Sequence, residues 1–144
     1  TSTAGWQTYR NDEFGFEVKY PEDWKDQEIT RGEAVLFENE QTNSSLFIDF
    51  GYKNPDDLPL DKWMNKFAIG RSVRGIPKDA LINGIQAYRI DNTSAIYPIE
   101  EFFIDVFLAD KYRKIVFVSL SASEGNQKES KIFDQILATF RFIE

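Results

Sequence analysis

Tyr9-Arg10-Asn11-Asp12-Glu13-Phe14-Gly15-Phe16-Glu17-Val18-Lys19-Tyr20-Pro21-Glu22-Asp23-Trp24 reads as a polar turn, a short aromatic strand and a proline-tryptophan corner in immediate succession. Strands are predicted near Thr8-Tyr9 and over Phe16 to Tyr20. Pro21 ends the second because it has no amide hydrogen to give to a ladder. Trp24 then falls where a bulky ring can plug the corner, and it is expected in the core.

Working outward, Glu28 to Thr30 and Glu33 to Glu38 read as a hairpin around Arg31-Gly32, its second strand carrying the apolar run Ala34-Val35-Leu36-Phe37. After a loop over Asn39 to Ser44, the alternation Leu46, Ile48, Phe50, Tyr52 predicts one face of a strand. Leu60, Trp63, Met64, Phe67 and Ala68 then recur at helical spacing, which predicts a helix over Leu60 to Ile69. Pro59 at its start loses no hydrogen bond, Asp61 suits the positive end of the dipole, and Gly70 is a plausible stop.

Asn83-Gly84 is the dipeptide best suited to a two-residue hairpin turn, so Ala80 to Ile82 and Ile85 to Ile90 are expected to pair. A second hairpin is predicted to join Glu100 to Ala109 with Tyr112 to Ala122 through Asp110-Lys111. That turn sets Phe102, Ile104, Val106 and Leu108 opposite Ser119, Phe117, Ile115 and Arg113. Both faces of the hairpin carry apolar residues, as central strands covered on each side do. A final helix is expected from Gln127 to Thr139, with Ile132, Phe133, Ile136, Leu137 and Phe140 as its buried stripe. Asn126 and Glu129 are placed as its N-cap and third-position partner.

The chain has 144 residues, enough for one core, and the 42% of hydrophobic residues offset the entropy of ordering it. Residues 1–5 read as the remnant of a flexible tether and residues 6–144 as a single domain. Acidic residues outnumber basic ones by 24 to 17, giving a net charge of -7, so nucleic acid is not an expected partner. There is no cysteine and no histidine, which removes disulfides, thiol nucleophiles, the commonest general base and the commonest transition-metal ligand. No apolar run reaches the length that crosses a bilayer.

The opening segment quoted above, an Asn with acidic neighbours, Phe14-Gly15-Phe16, a strand, Tyr20-Pro21 and Asp23-Trp24, resembles the start of the PsbP-like family. That family includes the extrinsic photosystem II subunit and many bacterial secreted or lipid-anchored domains. The closing run from Ile132 to Phe142 is similar to the same family, whose members end in a helix followed by a short strand. The resemblance implies an α+β fold, a central antiparallel sheet sandwiched between helices. It also implies an extracytoplasmic setting, with lipid anchoring through an upstream segment. The histidines associated with metal binding in photosystem PsbP proteins have no counterpart here.

No enzyme and no cofactor are expected. The expected function is binding or assembly with a protein or envelope partner, by a monomer. Arg71, Arg74 and Lys78 form a basic cluster in a glycine-containing loop, where arginine forks can match carboxylate or phosphate, and Tyr97 before Pro98 marks an exposed loop tip. These four are the candidate partner-binding residues, and the loop from Arg71 to Lys78 also supports the alternative of a small-ligand or anion receptor. Asn54, Asp56, Asp57 and Asp61 offer oxygens to calcium but lack the spacing of a calcium loop, and they fit a helix entry better. Glu38 and Glu40 fit a strand end in solvent.

Overall fold

The computed structural model describes residues 4–29, 33–68, 77–94, 101–123 and 127–143. Among these residues, ten strands and two α-helices follow the order β1 (Gln7–Asn11), β2 (Phe16–Tyr20), β3 (Lys25–Ile29), β4 (Ala34–Asn39), β5 (Ser44–Asp49), α1 (Leu60–Trp63), β6 (Lys78–Ile82), β7 (Ile85–Ser94), β8 (Glu101–Ala109), β9 (Ile115–Ser123), α2 (Gln127–Thr139) and β10 (Arg141–Phe142). Seven strands form one antiparallel sheet in the order β3-β4-β5-β9-β8-β7-β6, and β1-β2-β10 form a second, smaller one. The α+β architecture expected from the sequence is present. The small sheet is an addition to it, built from the first two strands and the last.

One face of the large sheet packs against α2 and the small sheet. Val35, Phe37, Leu46, Ile48, Val106 and Val118 from the large sheet join Phe133, Ile136, Leu137 and Phe140 from the helix side, and every one of them is buried. Phe16 stands at the centre of the junction, its ring 5.4 Å from Phe50 and 5.5 Å from Phe140. Burying such a ring stabilises the fold by about 1.5–3 kcal/mol. The tryptophan corner is also core: Trp24 is only 2% exposed.

The opposite face is covered over β7, β8 and β9 by α1, through Leu60, Trp63 and Met64 against Ile90, Phe107 and Ile115. Pro59 opens this helix with its carbonyl accepting the Trp63 amide at 2.9 Å. After one α turn the backbone widens into a π-helical turn over Met64–Ala68, so the predicted helix is split within the described residues, and Ile69 and Gly70 lie outside them. Farther across this face, Leu36 and Phe47 are half-buried, and the Ser119 hydroxyl donates to Asp105 at 2.6 Å.

The Asn83-Gly84 turn forms as predicted, with Ile82 opposite Ile85 and both central residues at positive φ, 50° and 79°. The β3–β4 pairing also holds, with Ile29 opposite Ala34, while residues 30–32 lie outside the described residues.

The β8–β9 register differs from the predicted one by three residues. Ala109 faces Ile115 instead of Tyr112, and Ile104, Val106 and Leu108 face Leu120, Val118 and Val116. The cause is the Asp110 carboxylate, which accepts the amides of both Tyr112 and Lys114 at 2.8 Å and closes a longer loop. Arg113 takes the left-handed φ of 66° that this loop requires. An odd slip exchanges the faces of β9, and here it puts Val116, Val118 and Leu120 in the core.

Tyr52 departs from the predicted alternation as well. The strand ends at Asp49, whose carboxylate accepts the Gly51 amide, and Tyr52 turns to the other face against Trp63 and Phe107.

Candidate protein-binding site

Four segments remote in sequence meet at one end of the molecule. In the β1–β2 turn, the Asn11 side chain accepts the Phe14 amide and its carbonyl accepts the Gly15 amide, both at 2.8 Å. Gly15 has φ 95°, and its carbonyl accepts the Ile143 amide at 2.8 Å, which fixes the C-terminal strand beside the turn. A side chain at Gly15 would lie 3.2 Å from both the Ile143 carbonyl and Lys114 Nζ, a tight approach that adds to the strain of the positive φ.

The β8–β9 loop enters this junction through Lys114, whose ammonium donates to the Phe14 carbonyl and sits 5.1 Å from the centre of the Phe14 ring. Asp110 Oδ2 lies 3.7 Å from the same ammonium, and the Asp110 side chain is only 8% exposed. On the other side, Asn54 donates to the carbonyls of Leu58 and Arg113 at 2.9 and 3.0 Å and accepts the Leu58 amide. Arg113 in turn donates to the Asp57 carbonyl at 2.5 Å. Trp63 ties this loop to α1 by donating from its indole to the Lys53 carbonyl at 2.9 Å.

These bonds hold a cleft of ≈ 460 Å³ lined by Asp110, Lys111, Tyr112, Lys114, Phe142 and Ile143. Tyr112 stands at its mouth with 67% of its surface exposed, and Lys111 Nζ lies 5.1 Å from the centre of its ring. The cleft has Phe142 and Ile143 on the strand side and Asp110, Lys111 and Lys114 on the loop side, and it carries a large exposed ring.

A second cleft, of ≈ 350 Å³, lies between α1 and the β6–β7 hairpin, lined by Asp61, Met64, Asn65, Pro77 and Tyr88. Burial, then the neighbouring Asp79 and Asp61, raise the Tyr88 hydroxyl above its ordinary pKa.

Of the residues singled out from the sequence, Arg71, Arg74 and Tyr97 lie outside the described residues. Lys78 is exposed at the start of β6, opposite Arg89, and lines neither cleft. Asn54, Asp56 and Asp57 are spent on loop structure, with Asp56 paired to Lys66 at 2.5 Å. Asp61 is instead part of the second cleft. Among the described residues no three His, Cys, Asp or Glu side chains converge as metal ligands would.

Two features were missed. The run Asp110-Lys111-Tyr112-Arg113-Lys114 places three cations around one tyrosine in an acidic chain, a higher density than the three of the longer loop from Arg71 to Lys78, yet Asp110-Lys111 reads as a two-residue turn. Glu129, expected as a helix-start partner of Asn126, lies in the first turn of α2 and buries its carboxylate against Ser44, while Asn126 lies outside the described residues.

Among solved structures, cyanobacterial PsbP (CyanoP) from Synechocystis superposes on this chain with a TM-score of 0.65 at 15% sequence identity, covering 99% of this chain and 96% of that one. The chain has the PsbP fold. A Bacteroides thetaiotaomicron protein reaches a TM-score of 0.69 at 14% identity over 96% of this chain and 48% of its own, so the chain spans about half the length of that protein. The Ran-binding protein Mog1p of Saccharomyces cerevisiae shares the PsbP fold at a TM-score of 0.58 and 8% identity, with 97% and 96% of the two chains covered. A scan of protein-family models and a search of curated proteins return no match. At these identities the likeness is one of fold, and fold alone does not fix chemistry.

Proposed function

We propose that this domain is a non-enzymatic protein-binding module that meets its partner through the braced rim around Tyr112. The observation that carries the reading is that ring, exposed on a turn whose backbone is held by Asp110 and whose flanks are held by Asn54 and Lys114. A tyrosine contributes large contact area for little lost freedom, and rigid loops reduce the entropic cost of association. The absence of histidine and cysteine from the chain supports a role without bond-making. Mog1p, a Ran-binding protein with the same fold, supports the class of function and says nothing of the partner here.

An extracytoplasmic setting belongs to the same reading, supported by the resemblance of both ends of the chain to a family rich in secreted and lipid-anchored domains. Among the described residues no helix is long and apolar enough to cross a membrane.

The test is affinity capture from a native extract of the source cells with wild-type, Tyr112→Ala and Leu81→Ala proteins. Leu81 is 72% exposed on β6 and lines neither cleft, so its replacement controls for loss of any exposed apolar group. A saturable partner retained by Leu81→Ala and lost by Tyr112→Ala is expected. A partner held equally by Tyr112→Ala would overturn the assignment.

A further inference from the structure

We infer that the cleft between α1 and the β6–β7 hairpin takes an arginine side chain of a partner protein, its guanidinium on Asp61 and Tyr88 and its stem along Met64 and Pro77. This goes beyond the reading of the rim, because Tyr112 does not line this cleft, and the two stand or fall separately.

The sign of the cleft follows from the side on which each charged group leaves the backbone. Asp79 and Tyr88 are cross-strand partners and share a face, the one on which Phe107, paired with Tyr88 from its other side, packs against α1. Lys78 and Arg89 are the next pair along and project from the opposite face, where Arg89 reaches Asp134 of α2 at 2.7 Å. On the helical side Asp61 and Asn65 line the cleft, whereas Lys62 and Lys66 do not, and Lys66 is paired with Asp56. Among the described residues Asp61 is thus the one charged side chain in the lining, and its carboxylate has no hydrogen bond or ion pair with any of them. After burial, it is the charges of Asp79 and Asp61 that raise the Tyr88 pKa, so the ring already feels a negative site.

The rest of the lining selects arginine among cations. A free carboxylate matches the paired N–H donors of a guanidinium, the Asn65 amide oxygen can accept another, and the Tyr88 ring is aromatic surface on which the planar group stacks. Met64 is buried and Pro77 half-buried, and both give apolar surface to the methylene stem. Asp61 and Asn65 are exposed, so the charge is paired without the large desolvation of a buried ion pair. The volume of ≈ 350 Å³ is near the lower end of the about 300–1,000 Å³ usual for ligand clefts, which suits a single side chain. Among the described residues β6 ends the strand order of the large sheet, so the cleft opens at an edge that a partner's chain can reach.

The experiment is an amide NMR titration of the full chain with a blocked pentapeptide holding one arginine among Gly and Ser. Saturable shifts are expected at the amides of Asp61, Asn65 and Tyr88. Asp61→Asn, an exposed isosteric change whose fold is checked by thermal melting, is expected to weaken binding about tenfold or more. Glu40→Gln removes an equal charge at an exposed position of the β4–β5 turn and is expected to bind as wild type does. Citrulline in place of the arginine keeps the shape without the charge and is expected to weaken binding about tenfold, and lysine several-fold. Methylguanidinium, which lacks stem and flanking chain, is expected to bind about tenfold more weakly than the peptide.

Undiminished binding by Asp61→Asn, or of the citrulline peptide, would overturn the inference. A loss in Glu40→Gln as large as that in Asp61→Asn would overturn it too, by making the net charge of the chain the cause. Lysine bound as tightly as arginine would refute the choice of guanidinium, and methylguanidinium bound as tightly as the peptide would replace the partner segment with a free cation. Tyr112→Ala is expected to bind the peptide as wild type does; loss there would move the peptide to the rim and sink the assignment to this cleft.

Discussion

The Glu129 carboxylate, in the first turn of α2, accepts a hydrogen bond from the Ser44 hydroxyl at the start of β5, 3.1 Å away, and both residues are 2% exposed. Ser44 is itself 2.5 Å from the Thr42 hydroxyl, and the Asn39 side chain accepts the Gln41 and Thr42 amides, so the β4–β5 turn is stitched to the helix through one buried acid. Burial raises the Glu129 carboxyl above its ordinary pKa, and Asp23 pushes in the same direction.

A raised carboxyl means that the folded state prefers the protonated form. Its contribution to stability is fully present below the unfolded value of about 4.3 and is lost as pH rises through the folded one. Glu129→Gln keeps an acceptor for Ser44 and removes the charge. It is expected to be more stable than wild type at neutral pH by about 1 kcal/mol, with the difference vanishing in acid. Urea unfolding at a series of pH values checks this, and coincident curves for the two proteins would refute it.

Glu17 moves the opposite way. Its hydrogen bond from Arg141 and the neighbouring Arg10 hold it below the usual carboxylate range, against the effect of burial. Stability from this group is present above the unfolded value of about 4.3 and is lost as pH falls through the lowered one. Arg141 is 61% exposed, so water screens the pair, and Arg141→Ala is expected to destabilise by no more than about 1 kcal/mol. The loss should shrink as the comparison is repeated at progressively lower pH, because Glu17 becomes protonated in the folded state as well.

Two glycines at positive φ predict different costs. At Gly84 nothing lies within 4 Å of an added Cβ, so Gly84→Ala is expected to cost about 1 kcal/mol, from backbone conformation alone. At Gly15 the same change also meets the Ile143 carbonyl and Lys114 Nζ, so Gly15→Ala is expected to cost more and to loosen the rim. Thermal melts rank the pair; equal losses would show that the Gly15 neighbours give way freely.

Asp110→Ala removes the acceptor of two loop amides and is expected to cost about 1–2 kcal/mol. Hydrogen exchange at Tyr112 and Lys114 should quicken while the β5 amides stay protected. Unchanged exchange at those two amides would show that the loop holds without its carboxylate.

The fold was largely legible in the sequence because its signals are local and periodic. The aromatic strand before Pro21, the Asn83-Gly84 turn and the helical stripe from Ile132 to Phe140 each need only neighbouring residues to be read. The β8–β9 register was not legible, because Asp110 and Lys111 fit a two-residue turn as well as the longer loop. What decides between them is the Asp110 side chain reaching forward to Lys114. The rim cleft stayed hidden for a related reason: Phe14, Asn54, Lys114 and Ile143 are spread across the chain, and only the tertiary bonds bring them together. Glu129 sits in the first turn of α2, where helix starts favour acids, but its burial against Ser44 depends on a strand far away in the sequence.

In the small sheet, β2 lies between β1 and β10 and is bonded to both. Synthesis runs from β1 toward β10, so the nascent chain holds β2 with one edge unsatisfied until Arg141 and Phe142 emerge. A ribosome-bound intermediate lacking those two residues therefore keeps an open strand beside the aromatic junction, and completion of this domain is an event that follows translation of its final turn.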